Sequence, residues 1–140
     1  MDAKKTDVDA VNREALSKTR DALLRLHKAL VDFERINYEK TIGAIQSPIH
    51  FLQLLTNDPW FAWLQPLTQI IALMDEMLEE KEPLTGSAVD SLTNQASHLL
   101  VASEIGEGFS RHYFDALQDD PDVVFAHADA AKLMRGRARG

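Results

Sequence analysis

Asp58–Leu78, DPWFAWLQPLTQIIALMDEML, decides the architecture. Aspartate followed by proline opens a helix: the carboxylate caps orphan N–H groups, and proline has no N–H to leave unsatisfied. Beyond it Trp60, Trp63, Leu64, Leu67, Ile70, Ile71, Met74, Met77 and Leu78 recur at helical spacing, with Gln65, Gln69, Glu76 and Glu80 behind them. The pattern predicts a core helix from Pro59 to about Lys81. Pro66 falls one turn inside it, so the axis should bend there or leave a short Pro59–Gln65 turn before the longer segment.

The same punctuation recurs at Ser47-Pro48 and Asp120-Pro121, and a further start lies near Thr85-Gly86-Ser87. A first helix is expected from about Asp7 to Thr41, ending before Gly43 and about 50 Å long. Leu16, Leu23, Leu26, Leu30 and Phe33 mark its apolar stripe, widened by Leu24 and Val31. Its charged beginning (Asp2, Lys4, Lys5, Asp7, Asp9, Arg13, Glu14) should overhang the bundle, fray or pack on another copy. Pro48 to about Thr56 reads as a short capping helix. Ser87 to about Ile105 reads as a helix weakened by Gly106 and Gly108, followed by an aromatic segment with Phe109, Tyr113 and Phe114. A last, Ala-rich helix runs from Pro121 to about Met134. Strand signals are nearly absent. The expected fold is an all-α up-and-down bundle of four main helices with a long N-terminal helix and a short capping helix. It forms one domain over residues 1–134, with a disordered Arg/Gly tail at 135–140.

The segment Asp58-Pro59-Trp60-Phe61-Ala62-Trp63-Leu64, with Leu26-His27-Lys28-Ala29-Leu30 upstream and Gly108-Phe109 downstream, resembles a family of short bacterial all-helical proteins with no known activity. The resemblance spans most of the chain. It implies a bacterial setting and brings no catalytic residue or cofactor with it.

Composition narrows the function. The 140 residues are 45% hydrophobic and 26% charged, as in one ordinary globular domain. Fifteen Lys plus Arg against 22 Asp plus Glu leave a net charge of -7, and no helix carries a basic stripe, which disfavours nucleic acid. With no cysteine, disulfides and thiolate chemistry are excluded. No apolar run is long enough to span a membrane and the first residues carry no apolar leader core, so a cytoplasmic location is expected.

Two ionisable residues interrupt the apolar stripe of the first helix. On a helical wheel His27 and Glu34 fall among Leu16, Leu23 and Leu30, with Arg20 and Tyr38 close beside. Buried groups of this kind need partners. If the fourth helix continues in phase through its glycines, Glu107 and Arg111 also point inward, and Glu34 can meet Arg111. Two accounts stay open: a structural ion-pair network fixing helix register, or a ligand pocket lined by His27, Glu34, Tyr38, Glu107 and Arg111.

A metal centre has little support. The Glu-x-x-His pairing of helical di-metal sites is missing, and His50, His98, His112 and His127 share no phase. Ser103 and Ser110 lack a nucleophile elbow, and no glycine loop cradles a phosphate. The acidic run Asp75, Glu76, Glu79, Glu80, Glu82 and the tail arginines Arg135, Arg137 and Arg139 read as solvated ends. Phe61 stands off the apolar arc of its helix; packing against the short helix, whose Phe51, Leu54 and Leu55 need a partner, is the first explanation, and a homodimer patch, with Phe61 as candidate interface residue, is the alternative. No catalytic residue, metal or cofactor is assigned. The expectation is a non-enzymatic interaction or regulatory protein, a homodimer through the first helix, with a ligand- or metal-binding bundle as the alternative.

Overall fold

The computed structural model describes residues 2–139, with side chains from 7 to 137. Six α-helices follow in order: α1 (Asp2–Thr41), α2 (Pro48–Asn57), α3 (Gln65–Glu79), α4 (Gly86–Leu99), α5 (Phe109–Asp119) and α6 (Pro121–Arg139). A 3-10 helix, Pro59–Leu64, sits between α2 and α3. The described residues contain no strand.

Each expected start carries its cap. Ser47 Oγ accepts from the His50 N–H at 3.0 Å, Asp58 Oδ1 from Trp60 at 2.8 Å, Thr85 Oγ1 from Ala88 at 3.1 Å and Asp120 Oδ1 from Asp122 at 2.8 Å. Pro66 acts as expected: the chain winds tightly from Pro59 to Leu64 and becomes α-helical from Gln65, so proline occupies the first turn of α3, where its missing N–H costs nothing.

The fold is an all-α bundle. α1 lies against α3, α4 and α6, and α4 also touches α3 and α6. Leu16, Leu23, Leu26 and Leu30 of α1 are fully enclosed between Leu67 and Met74 of α3, Val89 and Ala96 of α4, and Val123 and Ala130 of α6. Burial of each leucine contributes about 1.5–3 kcal/mol. α2 packs on the 3-10 helix, and α5 packs on both the 3-10 helix and α6. An aromatic chain joins these pieces: Phe51 meets Phe61 edge-on at 5.8 Å, Trp63 meets Phe109 at 5.3 Å, and Phe109 meets Tyr113 at 5.3 Å. The Tyr113 hydroxyl then pairs with Nδ1 of His127 at 2.5 Å. Burial pushes the phenol well above its ordinary value of 10.0, so it keeps its proton.

Three expectations need correction. The charged start of α1 does not overhang over its described side chains; those of Asp2, Lys4 and Lys5 lie outside the described set. Asp9, Asn12 and Arg13 clasp the α3–α4 connection instead. Asp9 Oδ1 accepts from the Leu84 N–H at 2.5 Å, and Asn12 Nδ2 donates to the Leu84 carbonyl at 2.9 Å. Arg13 donates to the carbonyls of Leu78, Glu80 and Glu82 at 2.8–2.9 Å while pairing with Asp9. A helix end leaves carbonyls without partners, and one guanidinium satisfies them.

The fourth helix does not run to Ile105. It stops at Leu99, and residues 100–108 form a loop closed by Ser103 N–H to the Ser110 carbonyl (3.0 Å) and Gly106 N–H to the Ser103 carbonyl (3.3 Å). A Cβ at Gly106 would stand 2.3 Å from Ser110 Oγ, and Gly108 has φ +60, so both glycines permit this closure rather than a helix in phase. Third, α6 extends past Met134 to Arg139; Gly140 of the expected tail lies outside the described residues.

Candidate functional site

The interior polar line of α1 divides into separate environments. Arg20 turns outward to Asp75, Nη1 to Oδ1 at 2.5 Å, and to its neighbour Asp21; the Asp75 bond, foremost, holds its charge above the ordinary value. His27 is half-buried, with Nε2 3.0 Å from Thr68 Oγ1. The Thr68 hydroxyl gives its proton to the Leu64 carbonyl, so we assign the His27 proton to Nε2, as donor. Burial pulls this imidazole below its ordinary value. Both ionisable groups whose inward placement was read from the apolar stripe thus face the protein, and only Glu34 is deeply enclosed.

Glu107 and Arg111 do not join them. With α4 ended at Leu99, both side chains are exposed; Arg111 donates to the Glu104 carbonyl and pairs with Asp115 at 3.4 Å. The five expected pocket residues are therefore not one cluster. Phe61, taken as a surface candidate, is 1% exposed and packs on Phe51 and, at 5.7 Å, on Tyr38. Its place off the apolar arc of an α-helix loses meaning in a 3-10 helix, where the residue period differs.

Glu34 is the centre of what remains. It is 8% exposed and lines a cavity of about 380 Å³ between α1, the 3-10 helix and α5. Phe33 and Asn37 of α1, Pro59 and Trp60 of the 3-10 helix, and His112, Asp115 and Asp119 of α5 complete the wall. Three residues per turn bring Trp60 and Trp63 onto the same side of the 3-10 helix, facing α1. Trp63 lies nearly parallel to His112 at 5.1 Å, and Trp60 meets Tyr38 edge-on at 5.8 Å.

Hydrogen-bond capacity here is unmet. The buried indole N–H groups of Trp60 and Trp63 meet no acceptor of strict hydrogen-bond geometry, and the acceptor beside them is the Glu34 carboxyl. Both indoles nevertheless approach that carboxyl closely enough to favour its charged form, as do Asn37 and His112. Burial, the largest influence, outweighs all four and raises the carboxyl above its ordinary 4.5. A carboxyl so placed can accept an ionic partner or hold a proton.

Of the five expected pocket residues only Glu34 lines this cavity, with Tyr38 packed edge-on against Trp60 beside it; Asn37, Trp60 and His112 were not among the expected pocket residues. Spacing alone carries one usable signal for the missed set, the Trp-x-x-Trp repeat behind Asp-Pro. A larger groove of about 680 Å³ runs between α1 and α6 along Val11, Ala15 and Leu133. Its charged side chains reach solvent, and Lys18 and Arg137 already pair with Glu14 and Asp90. It offers volume without unmet polar chemistry. Among the described residues no group of three or more His, Cys, Asp or Glu is arranged to hold a metal, and no helix is long and apolar enough to cross a membrane. Compared with protein-family models, curated proteins and solved structures, the chain matches none.

Proposed function

We propose that this chain is a non-enzymatic helical binding protein whose ligand occupies the cavity beside Glu34. One observation carries the reading: a deeply buried carboxyl borders open volume and is flanked by two indole N–H groups without proper partners. The indole nitrogens are sealed from solvent behind the carboxyl, so the group of this cluster that a ligand can meet is Glu34 itself, which lines the cavity and whose burial is costly without a partner. Nothing beside Glu34 supplies a nucleophile oriented by a base, which favours binding over turnover.

The chain holds only two tryptophans, and both line or adjoin the cavity, so intrinsic emission reports on it selectively. Titration with small organic cations, anions and neutral molecules is expected to shift that emission saturably for at least one class, with the shift weakened in Glu34→Gln. A response to none of the classes overturns the proposal.

Pairing of two copies along α1 is a second reading, favoured by Val8 and Val11, which are 58% and 62% exposed and nearly one turn apart. Sedimentation analysis should then show a dimer that Val11→Asp converts to monomer; a monomeric wild-type chain rejects it.

A further inference from the structure

We propose that the ligand of the Glu34 cavity is a small organic cation, an ammonium or guanidinium group on a short apolar body. This rests on the cavity being a ligand site and names the class of molecule it takes.

Charge is the first support. Glu34, Asp115 and Asp119 contribute three carboxyl groups to the wall, and no lysine or arginine lines it. Arg111, which does not line the cavity, pairs with Asp115, with both side chains nearly half exposed, so screening by water weakens its claim on the carboxylate. An anion entering this wall meets repulsion, and a neutral molecule gains nothing from it.

The second support comes from the buried donors. Trp63 is only 9% exposed, and its unpartnered indole N–H is directed toward the Glu34 carboxyl, joined by that of Trp60. Donors of this kind stabilise a carboxylate without cancelling its charge. The one group of the wall that can face it with positive charge is His112, and no lysine or arginine joins it there. A buried carboxylate is costly until a positive counterpart arrives, and an incoming cation offsets the cost by direct pairing.

Shape is the third. Phe33 and Trp60 present aromatic carbon beside the carboxyl groups, and aromatic rings attract cations as well as covering their apolar parts. A volume of about 380 Å³ lies at the small end of ligand cavities, suited to a compact molecule.

A matched series tests the class: n-butylammonium, 1-butanol and butyrate share one alkyl body and differ in charge. Each is titrated into the whole protein at constant ionic strength, following tryptophan emission. Butylammonium is expected to produce a saturable shift and the other two none. Glu34→Gln, nearly isosteric, should weaken binding by about tenfold or more. The Asp115→Asn/Asp119→Asn pair, on the outer wall, should weaken it by about two- to fivefold. Circular dichroism confirms that each variant keeps its helices, and the second pair, at accessible positions, gives an answer even if the first unfolds. Stronger binding of butyrate or butanol overturns the cation assignment while leaving the cavity as a ligand site. Equal binding of butylammonium to wild type and Glu34→Gln also overturns it. Silence from all three probes removes the ligand site and the cation assignment together.

Discussion

The two ends of α1 handle buried polarity in opposite ways. Near its start, Asp9, Asn12 and Arg13 meet the backbone of residues 78–84, and five side-chain hydrogen bonds reach across to that segment. Near its finish, Glu34 faces a cavity and two indole N–H groups that meet no acceptor of strict hydrogen-bond geometry. Polarity inside a helical bundle does not by itself mark a binding site. Unmet hydrogen-bond capacity next to open volume does, since a saturated network has nothing left to offer a ligand.

Removing the clasp should have the larger effect. Arg13→Met strips donors from three carbonyls, and we expect a loss of about 2–3 kcal/mol in urea unfolding. A loss below about 0.5 kcal/mol would mean that water replaces the guanidinium without penalty, and the contrast between the ends would vanish. At the other end the sign should reverse. Glu34→Leu exchanges an uncompensated buried carboxyl for apolar volume, so stability should hold or rise by up to about 1 kcal/mol, read as an equal or higher melting temperature. A clear fall would show that the carboxyl holds the fold together.

The smallest effect is read from pH. Burial raises the Glu34 carboxyl, so the folded chain holds this proton more tightly than the unfolded chain does. Its stabilising contribution is complete below the ordinary glutamate value and is lost as pH rises through the raised one. Wild type should therefore lose stability relative to Glu34→Gln between about pH 4 and about pH 7. Burial lowers His27 and, with help from Arg135, His127, which acts in the opposite direction: their contribution is lost as pH falls. Both imidazoles are common to the two proteins and cancel in the difference. A difference that does not change with pH would place the carboxyl in water.

Much of the bundle is legible before any coordinates, because its helix starts are written in local chemistry. Ser47, Asp58, Thr85 and Asp120 each cap a backbone N–H two or three residues ahead, and three of the four precede proline. The inward turn of Glu34 follows from periodicity over a long helix, where a phase error has little room to grow. The end of α4 does not follow from it. The apolar pattern of Val89, Leu92, Ala96 and Leu99 carries no stop of its own, and the choice between helix and loop rests on Ser103 meeting Ser110, a contact that no period encodes. The errors at Glu107 and Arg111 both descend from that single point. Arg13 was misread for a related reason, since its partners lie far along the chain and are main-chain carbonyls, invisible to any reading of side-chain types. The tryptophans are core residues as their spacing implies, but a wheel drawn for an α-helix does not show that a 3-10 turn sets both beside Glu34.

Asp58 joins two elements with no linker between them. Its N–H closes α2 on the Leu54 carbonyl at 2.9 Å, and its carboxylate opens the turn that carries Trp60 and Trp63. α2 and the turn that carries the indoles are therefore fixed to each other through one residue, so the placement of Trp60 and Trp63 beside Glu34 depends on how α2 ends as much as on how the next turn begins.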